Sequence, residues 1–244
     1  MKRILSPSAD SSWSCIPGGV SAPIGFQTSA INADLKSSRR ADLALLLAPE
    51  GAACAGVFTK SSTRAACIDL CIDRLGTNLG RARAVIINSG QANACTGERG
   101  LIDSLKATQA LADRLNLRKE EVLMCSTGVI GEPIPIPNLL SGINPLVDGL
   151  KANDGDSIAH AILTTDLVEK KIAYECNIGG RIIRLGGVAK GSGMIHPNMA
   201  TMLAFLTCDA GIPPDKWIEM IQRVNDCSFN AISVDGDTST NDSF

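Results

Sequence analysis

Apolar runs along the chain alternate with clusters of glycine, proline and small polar residues. Ala41 to Ala48 is mostly apolar and is stopped by Pro49-Glu50-Gly51, the pattern of a short buried strand. Gly56-Val57-Phe58-Thr59 predicts a second strand and Ala84 to Asn88 a third. The third runs into Ser89 to Gly97, a loop of small polar residues, and such loops at strand ends often carry function. Leu101 to Leu117 predicts a helix, with Leu101, Leu105, Leu111 and Leu115 near one face. A strand over Val122 to Cys125 opens into Ser126-Thr127-Gly128-Val129-Ile130-Gly131, after which Pro133, Pro135 and Pro137 exclude regular helix. Residues 139–170 predict one or two helices. Tyr174 to Ile178 and Arg181 to Leu185 predict a hairpin around Gly179-Gly180. A glycine-rich stretch, Gly186 to Gly193, precedes an apolar strand over Thr201 to Cys208. A helix over Pro213 to Val224 starts at its proline. Strands interspersed with helices, one hairpin among them, predict α/β or α+β architecture with a mixed sheet.

The 244 residues suit one large domain or two small ones. Aromatics are only 3%, so the core must be built from Ala, Val, Ile and Leu. Lys and Arg total 23 against 25 Asp and Glu, a balance that argues against a nucleic-acid binder. No run approaches the ~20 apolar residues of a membrane span. The basic pair Lys2-Arg3 is not followed by the apolar segment of a signal peptide. No membrane association and a cytoplasmic, reducing location are therefore expected. The nine cysteines (15, 54, 67, 71, 95, 125, 176, 208 and 227) are spread evenly and contain no Cys-x-x-Cys. Both histidines, His160 and His196, lie far from Cys67 and Cys71, so no metal site is expected and the thiols read as small buried apolar groups.

Four stretches carry candidate chemistry. Gly186-Gly-Val-Ala-Lys190-Gly-Ser192-Gly193 has the wrong order for a phosphate-binding loop. It reads either as a flexible turn or as a backbone that lets another segment or a ligand approach, with Lys190 a candidate ligand contact. Asp235-Gly-Asp237 after an apolar stretch is similar to the first motif of haloacid dehalogenase-like phosphatases, but Ser239 stands where that motif has Thr. A solvated polar loop over Asp237 to Ser243 is the preferred reading. Thr127-Gly128 exposes backbone N–H groups after a strand, and such groups can hold an oxyanion. In Gly193 to Phe205, Ala200 precedes Thr201 at the start of an apolar strand, as in a self-cleaving N-terminal-nucleophile site. There the Thr Oγ attacks the preceding carbonyl, and hydrolysis of the ester frees an α-amine of pKa about 7.7–8.0, a competent base near neutrality. A threonine that merely opens a strand has the same spacing. His196 reads as a loop histidine bonded to backbone.

With these residues in view, the chain resembles the ornithine acetyltransferase family, the glutamate N-acetyltransferases of arginine biosynthesis. The matching stretches are Gly18 to Pro23, Cys54 to Thr59, Asn88 to Gly97, Ser126 to Gly131, Thr164-Thr165-Asp166, Gly186 to Phe205 and Asp235 to Ser243. The resemblance implies an α+β fold, a layered α/β/β/α sandwich with mixed sheets on a self-cleaving N-terminal-nucleophile-like scaffold. It implies cleavage between Ala200 and Thr201, giving an α chain (1–200) and a β chain from 201 within one domain, assembled as an α2β2 heterotetramer. Thr201 would be the nucleophile that carries the acetyl group. Thr127 and Gly128 match the oxyanion pair, while Thr164 and Lys190, with Thr201, match substrate-binding positions. N-acetylornithine would acetylate Thr201, and glutamate would take the acetyl group. Neither metal nor cofactor is implied, although some members accept acetyl-CoA as donor. An amidase or aminopeptidase on a related scaffold is the alternative. Family members are longer, so residues 201–244 read as only the start of a β chain, and the isolated chain is expected to be inactive.

Overall fold

The computed structural model describes residues 13–196 and 202–244. Among them lie eight strands: β1 (Ser14–Cys15), β2 (Gln27–Ile31), β3 (Leu43–Leu47), β4 (Ala84–Gln91), β5 (Val122–Val129), β6 (Lys170–Ile178), β7 (Arg181–Lys190) and β8 (Leu203–Cys208). Five α-helices accompany them: α1 (Ala66–Thr77), α2 (Gly97–Leu115), α3 (Ile136–Asp148), α4 (Gly155–Ala161) and α5 (Pro214–Cys227). The strands form two four-stranded sheets, β2-β3-β4-β5 and β1-β6-β7-β8. The first is mixed, because β4 and β5 run parallel while the other pairs are antiparallel. The second is antiparallel throughout.

Side chains alternate across a strand, which decides what each face of the first sheet meets. Leu43, Leu45, Ile86, Val122 and Met124 point one way and pack on Ile68 of α1, Leu111 of α2, and Leu139, Ile143 and Leu146 of α3. Ala44, Leu46, Ile87 and Cys125 point the other way and meet Val188 and Leu203 of the second sheet, with Ile158 of α4 between. Both faces being buried, β3 reads as an unbroken apolar run rather than an alternating one. Helices, first sheet and second sheet thus stack as layers of the expected α+β sandwich. The outward face of the second sheet carries Ile172 and Leu206, 43% and 37% exposed, on either side of Gly187.

Several sequence expectations need correction. Gly56 to Thr59 is not a regular strand. Phe58 makes an isolated bridge with Ser243, and Val57 exchanges both backbone bonds with Phe244, so its partner comes from the far end of the sequence. Helix α2 turns a different face inward: Gly100, Ser104, Ala107, Thr108, Leu111 and Ala112 are buried, while Leu101 and Leu105 are 40% and 42% exposed. Small residues let the helix lie close to its neighbours, and Ser104 bonds both Asn93 and the Gly100 carbonyl. The prolines delay helix α3 but do not exclude it, because Pro137 sits in the first turn, where no N–H is needed. Gly186-Gly187 is strand, not turn. A Cβ at Gly186 would lie 2.1 Å from the Gly19 carbonyl oxygen, so glycine here admits the 3-10 turn Gly19–Ser21 against β7. Cys67, Cys71, Cys125 and Cys176 are buried as expected, but Cys15, Cys95 and Cys227 are exposed.

Candidate active site

Strands β4 and β5 run parallel and end together, with Ser89 beside Thr127 and Gly90 beside Gly128. Their approach is too close for side chains. A Cβ at Gly128 (φ 132°) would lie 2.2 Å from the Gly90 carbonyl carbon. Below this point Ser126 Oγ donates to Asn88 Oδ1 (2.6 Å), and Asn88 Nδ2 donates to the Gln91 carbonyl (3.0 Å). The end of β5 is therefore fixed by its neighbour strand and by buried polar bonds, which are costly to leave unmade.

Lys190 approaches from the other sheet. As the last residue of β7 it is 5% exposed, and its Nζ donates to Thr127 Oγ1. Burial pushes the Lys190 ammonium down to about 8, against the opposing pull of the Asp166 and Asp242 carboxylates. Asp166 accepts from the Gly191 amide (2.8 Å) and from Lys170 (2.5 Å). Burial alone would raise its carboxyl, but these bonds and the charges of Lys170 and Lys190 outweigh it and hold the group below the usual range. On the opposite wall, Lys36 Nζ donates to Ser89 Oγ (2.9 Å) and to the Leu163 carbonyl (3.2 Å).

Lys36, Asp166 and Lys190 line one pocket of about 730 Å³ that also includes Thr127, Gly128, Thr164 and Met202. The sequence-derived candidates Thr127, Gly128, Thr164 and Lys190 are thus brought together from three separate segments. Thr164 is exposed at the rim. Ala200 and Thr201 lie outside the described residues, and Met202, the next residue, is in the pocket wall. His196 is exposed. A second cavity of about 650 Å³, near Phe26, Phe205 and Trp217, contains none of the candidates. Among the described residues no group of three or more His, Cys, Asp or Glu could hold a metal ion.

Of the polar stretch Asp237 to Ser243, expected as a solvated loop, Asp237 and Thr238 are exposed but the structure overturns the expectation from Ser239 on. Ser239, Thr240, Asn241, Asp242 and Ser243 are all buried. Thr59 Oγ1 donates to the Ser239 carbonyl, the Ala65 amide to the Thr240 carbonyl, and the Met202 amide to Asp242 Oδ1 (2.6 Å). Asp235 is no candidate nucleophile either: its carboxylate accepts from the Met194, Ile195 (2.9 Å) and Asp237 (3.3 Å) amides. A run of Ser, Thr, Asn and Asp looks the same in sequence whether its partners are water or buried backbone. The apolar stretch before it, Ala231 to Val234, is exposed and forms no strand, so it offers no signal either.

The sequence model of the ArgJ family matches residues 27–244. The chain belongs to the ArgJ family. The arginine biosynthesis bifunctional protein ArgJ of Prochlorococcus marinus (strain MIT 9313) is 64% identical, covering 98% of this chain and 57% of that protein. The chain therefore spans little more than half the length of such curated relatives. The solved ornithine acetyltransferase of Mycobacterium tuberculosis, complexed with ornithine, is 38% identical with a TM-score of 0.70, covering 78% of this chain and 100% of that one. The l-aminopeptidase d-ala-esterase/amidase of Ochrobactrum anthropi, described as a variant of the Ntn hydrolase fold, is 10% identical. It has a TM-score of 0.51 and covers 87% of this chain and 69% of that one. At that identity the likeness concerns the fold alone. ArgJ membership and this fold agree with the α+β layers described above.

Proposed function

We propose that this ArgJ-family chain carries the acyl-transfer centre of a self-cleaving threonine acetyltransferase, which moves an acetyl group from N-acetylornithine to glutamate through an acetyl-Thr201 intermediate. One observation carries the reading: Lys190 bonds Thr127 across the two sheets, beside Gly128, in a pocket walled by the residue that follows Thr201. Cleavage at Ala200–Thr201 gives Thr201 a free α-amine, ordinarily of pKa about 7.7–8.0. The amine takes the Oγ proton as Oγ attacks the acetyl carbonyl. Thr127 and the Gly128 N–H stabilise the resulting oxyanion, each such donor being worth about 100- to 1000-fold in rate. Collapse expels the ornithine α-amine, which receives the proton. The glutamate α-amine then attacks the ester, N-acetylglutamate leaves, and Oγ regains its proton. Protonated Lys190 pairs with the substrate carboxylate, and Thr164 contacts substrate at the rim. Every group used belongs to the polypeptide, so neither metal nor cofactor is invoked. Acetyl-CoA enters, if at all, as an alternative donor to Thr201.

Chain lengths support the cleavage. The solved Mycobacterium tuberculosis chain is matched over its full length by 78% of this chain, whereas this chain reaches only 57% of a curated relative. The solved chain is thus far shorter than the curated protein, as a chain divided near residue 200 would be. An α chain 1–200 and a β chain from 201 then form one domain, assembled as α2β2. The test is mass spectrometry and steady-state assay of the protein at the full length of its ArgJ relatives and of its Thr201→Ala variant. The parent is expected to split at Ala200–Thr201 and to release ornithine only when glutamate is present. Glutamate-independent release would favour the amidase alternative, and a Thr201→Ala chain that still splits would sink the assignment.

A further inference from the structure

The buried stretch at residues 239–243 has no part in the chemistry just written, yet it touches both halves of the centre. Asn241 is 7% exposed, and its Nδ2 donates to the Ser126 carbonyl (2.9 Å) and to the Ala92 carbonyl. Its Oδ1 accepts from Thr240 Oγ1 (2.6 Å), which sets the orientation of the amide. The Ser126 carbonyl belongs to the planar peptide that joins Ser126 to Thr127, so holding it fixes the backbone from which the Thr127 hydroxyl and the Gly128 N–H project. Asp242 is fully buried and faces the opposite way. Its Oδ1 accepts the Met202 amide (2.6 Å), and the adjoining Ser243 pairs with the Met202 carbonyl and the Ala204 amide, both at 3.0 Å.

We propose that Asn241 and Asp242 are paired positioning residues, Asn241 fixing the oxyanion peptide Ser126–Thr127–Gly128 and Asp242 fixing the strand start next to Thr201. The proposal rests on the threonine acyl-transfer reading above. Its physical content is a distance. The oxyanion peptide stands on the first sheet and the nucleophile strand on the second, and two packed sheets can slide. Asn241 and Asp242 are consecutive, so about 3.8 Å of chain joins the two grips and the spacing becomes a property of one peptide unit. A misplacement of about 1 Å can cost on the order of 100-fold in rate, so such a brace has a kinetic signature.

The experiment compares the protein at the full length of its ArgJ relatives with its variants Asn241→Asp, Asp242→Ala, Asp242→Asn, Thr240→Val and the control Thr201→Ala. Readouts are the self-cleavage rate, kcat and KM for acetyl transfer, and melting temperature. Asn241→Asp keeps the shape but turns both donors into acceptors facing carbonyls. It is expected to lower kcat and the cleavage rate about 10- to 100-fold, with KM within about threefold. Asp242→Ala should behave alike, and Asp242→Asn, which still accepts the Met202 N–H, should recover most of the rate. If Asn241→Asp does not fold, Thr240→Val decides, with a smaller fall in kcat expected as the amide loses its orienting hydroxyl. Wild-type kcat in the folded variants, or losses confined to KM or to the unfolded fraction, would overturn the proposal. Cleavage by Thr201→Ala would instead remove the reading beneath it. An inert Thr201→Ala beside a fully active Asn241→Asp would refute the brace alone.

Discussion

Lys190→Met keeps the length and most of the volume of the side chain while removing its charge, so it isolates the cost of burying an ammonium at the centre of this site. The native group is 5% exposed and sits at about 8, against an ordinary lysine value of 10.5. The fold therefore binds this proton less tightly than the unfolded chain does. Below about pH 8 both states are protonated, and the full cost is present, about 3 kcal/mol at 1.36 kcal/mol per unit. Between about 8 and 10.5 the folded state loses the proton first, and the cost is relieved as pH rises. Above 10.5 it is gone. From this group alone, the parent should gain about 2–3 kcal/mol of stability between pH 7 and pH 10, a gain the Met variant lacks. Urea denaturation of both proteins at the two pH values is the assay. Other titrating groups contribute to both curves and cancel in the comparison. Met also leaves Thr127 Oγ1 without the Lys190 donor and removes one of the positive charges near Asp166 and Asp242, Lys170 remaining on Asp166, which shifts the whole curve but not its relative slope. Parallel curves for the two proteins would refute the reasoning.

Thr127→Val preserves shape and removes the hydroxyl, so kcat for acetyl transfer should fall about 100-fold or more; wild-type kinetics would remove Thr127 from the oxyanion role. Gly186→Ala places a methyl 2.1 Å from the Gly19 carbonyl oxygen and should lower stability by about 1–3 kcal/mol in urea titration, an unchanged midpoint arguing against that close approach. Leu111→Ala, at a fully buried position, should cost about 2–5 kcal/mol, whereas Leu105→Ala, at a position 42% exposed, should stay within about 0.5 kcal/mol. Equal losses in those two variants would mean that helix α2 turns its other face inward.

Elements with local causes were legible without coordinates. The apolar run Leu43 to Leu47, the hairpin at Gly179-Gly180 and the helix that begins beside Pro213 each depend on residues next to one another in sequence. Thr127, Gly128 and Lys190 could likewise be singled out from their segments, Thr164 only through the family resemblance, and the pocket contains all four. Other features depended on partners distant in the chain. Val57 finds its backbone partner at Phe244, Gly186 is glycine because of Gly19, and α2 selects its buried face by how closely it can pack.

The final polar stretch shows the division most plainly. Its composition determines that residues 239–243 need many hydrogen-bond partners, and nothing in it says whether those partners are water. Only the stacking of two sheets, with β5 and β8 on either side of Asn241 and Asp242, decides that they are buried carbonyls and amides. Local pattern is written in neighbouring residues. The environment of a polar side chain is written by whichever segments the fold brings against it.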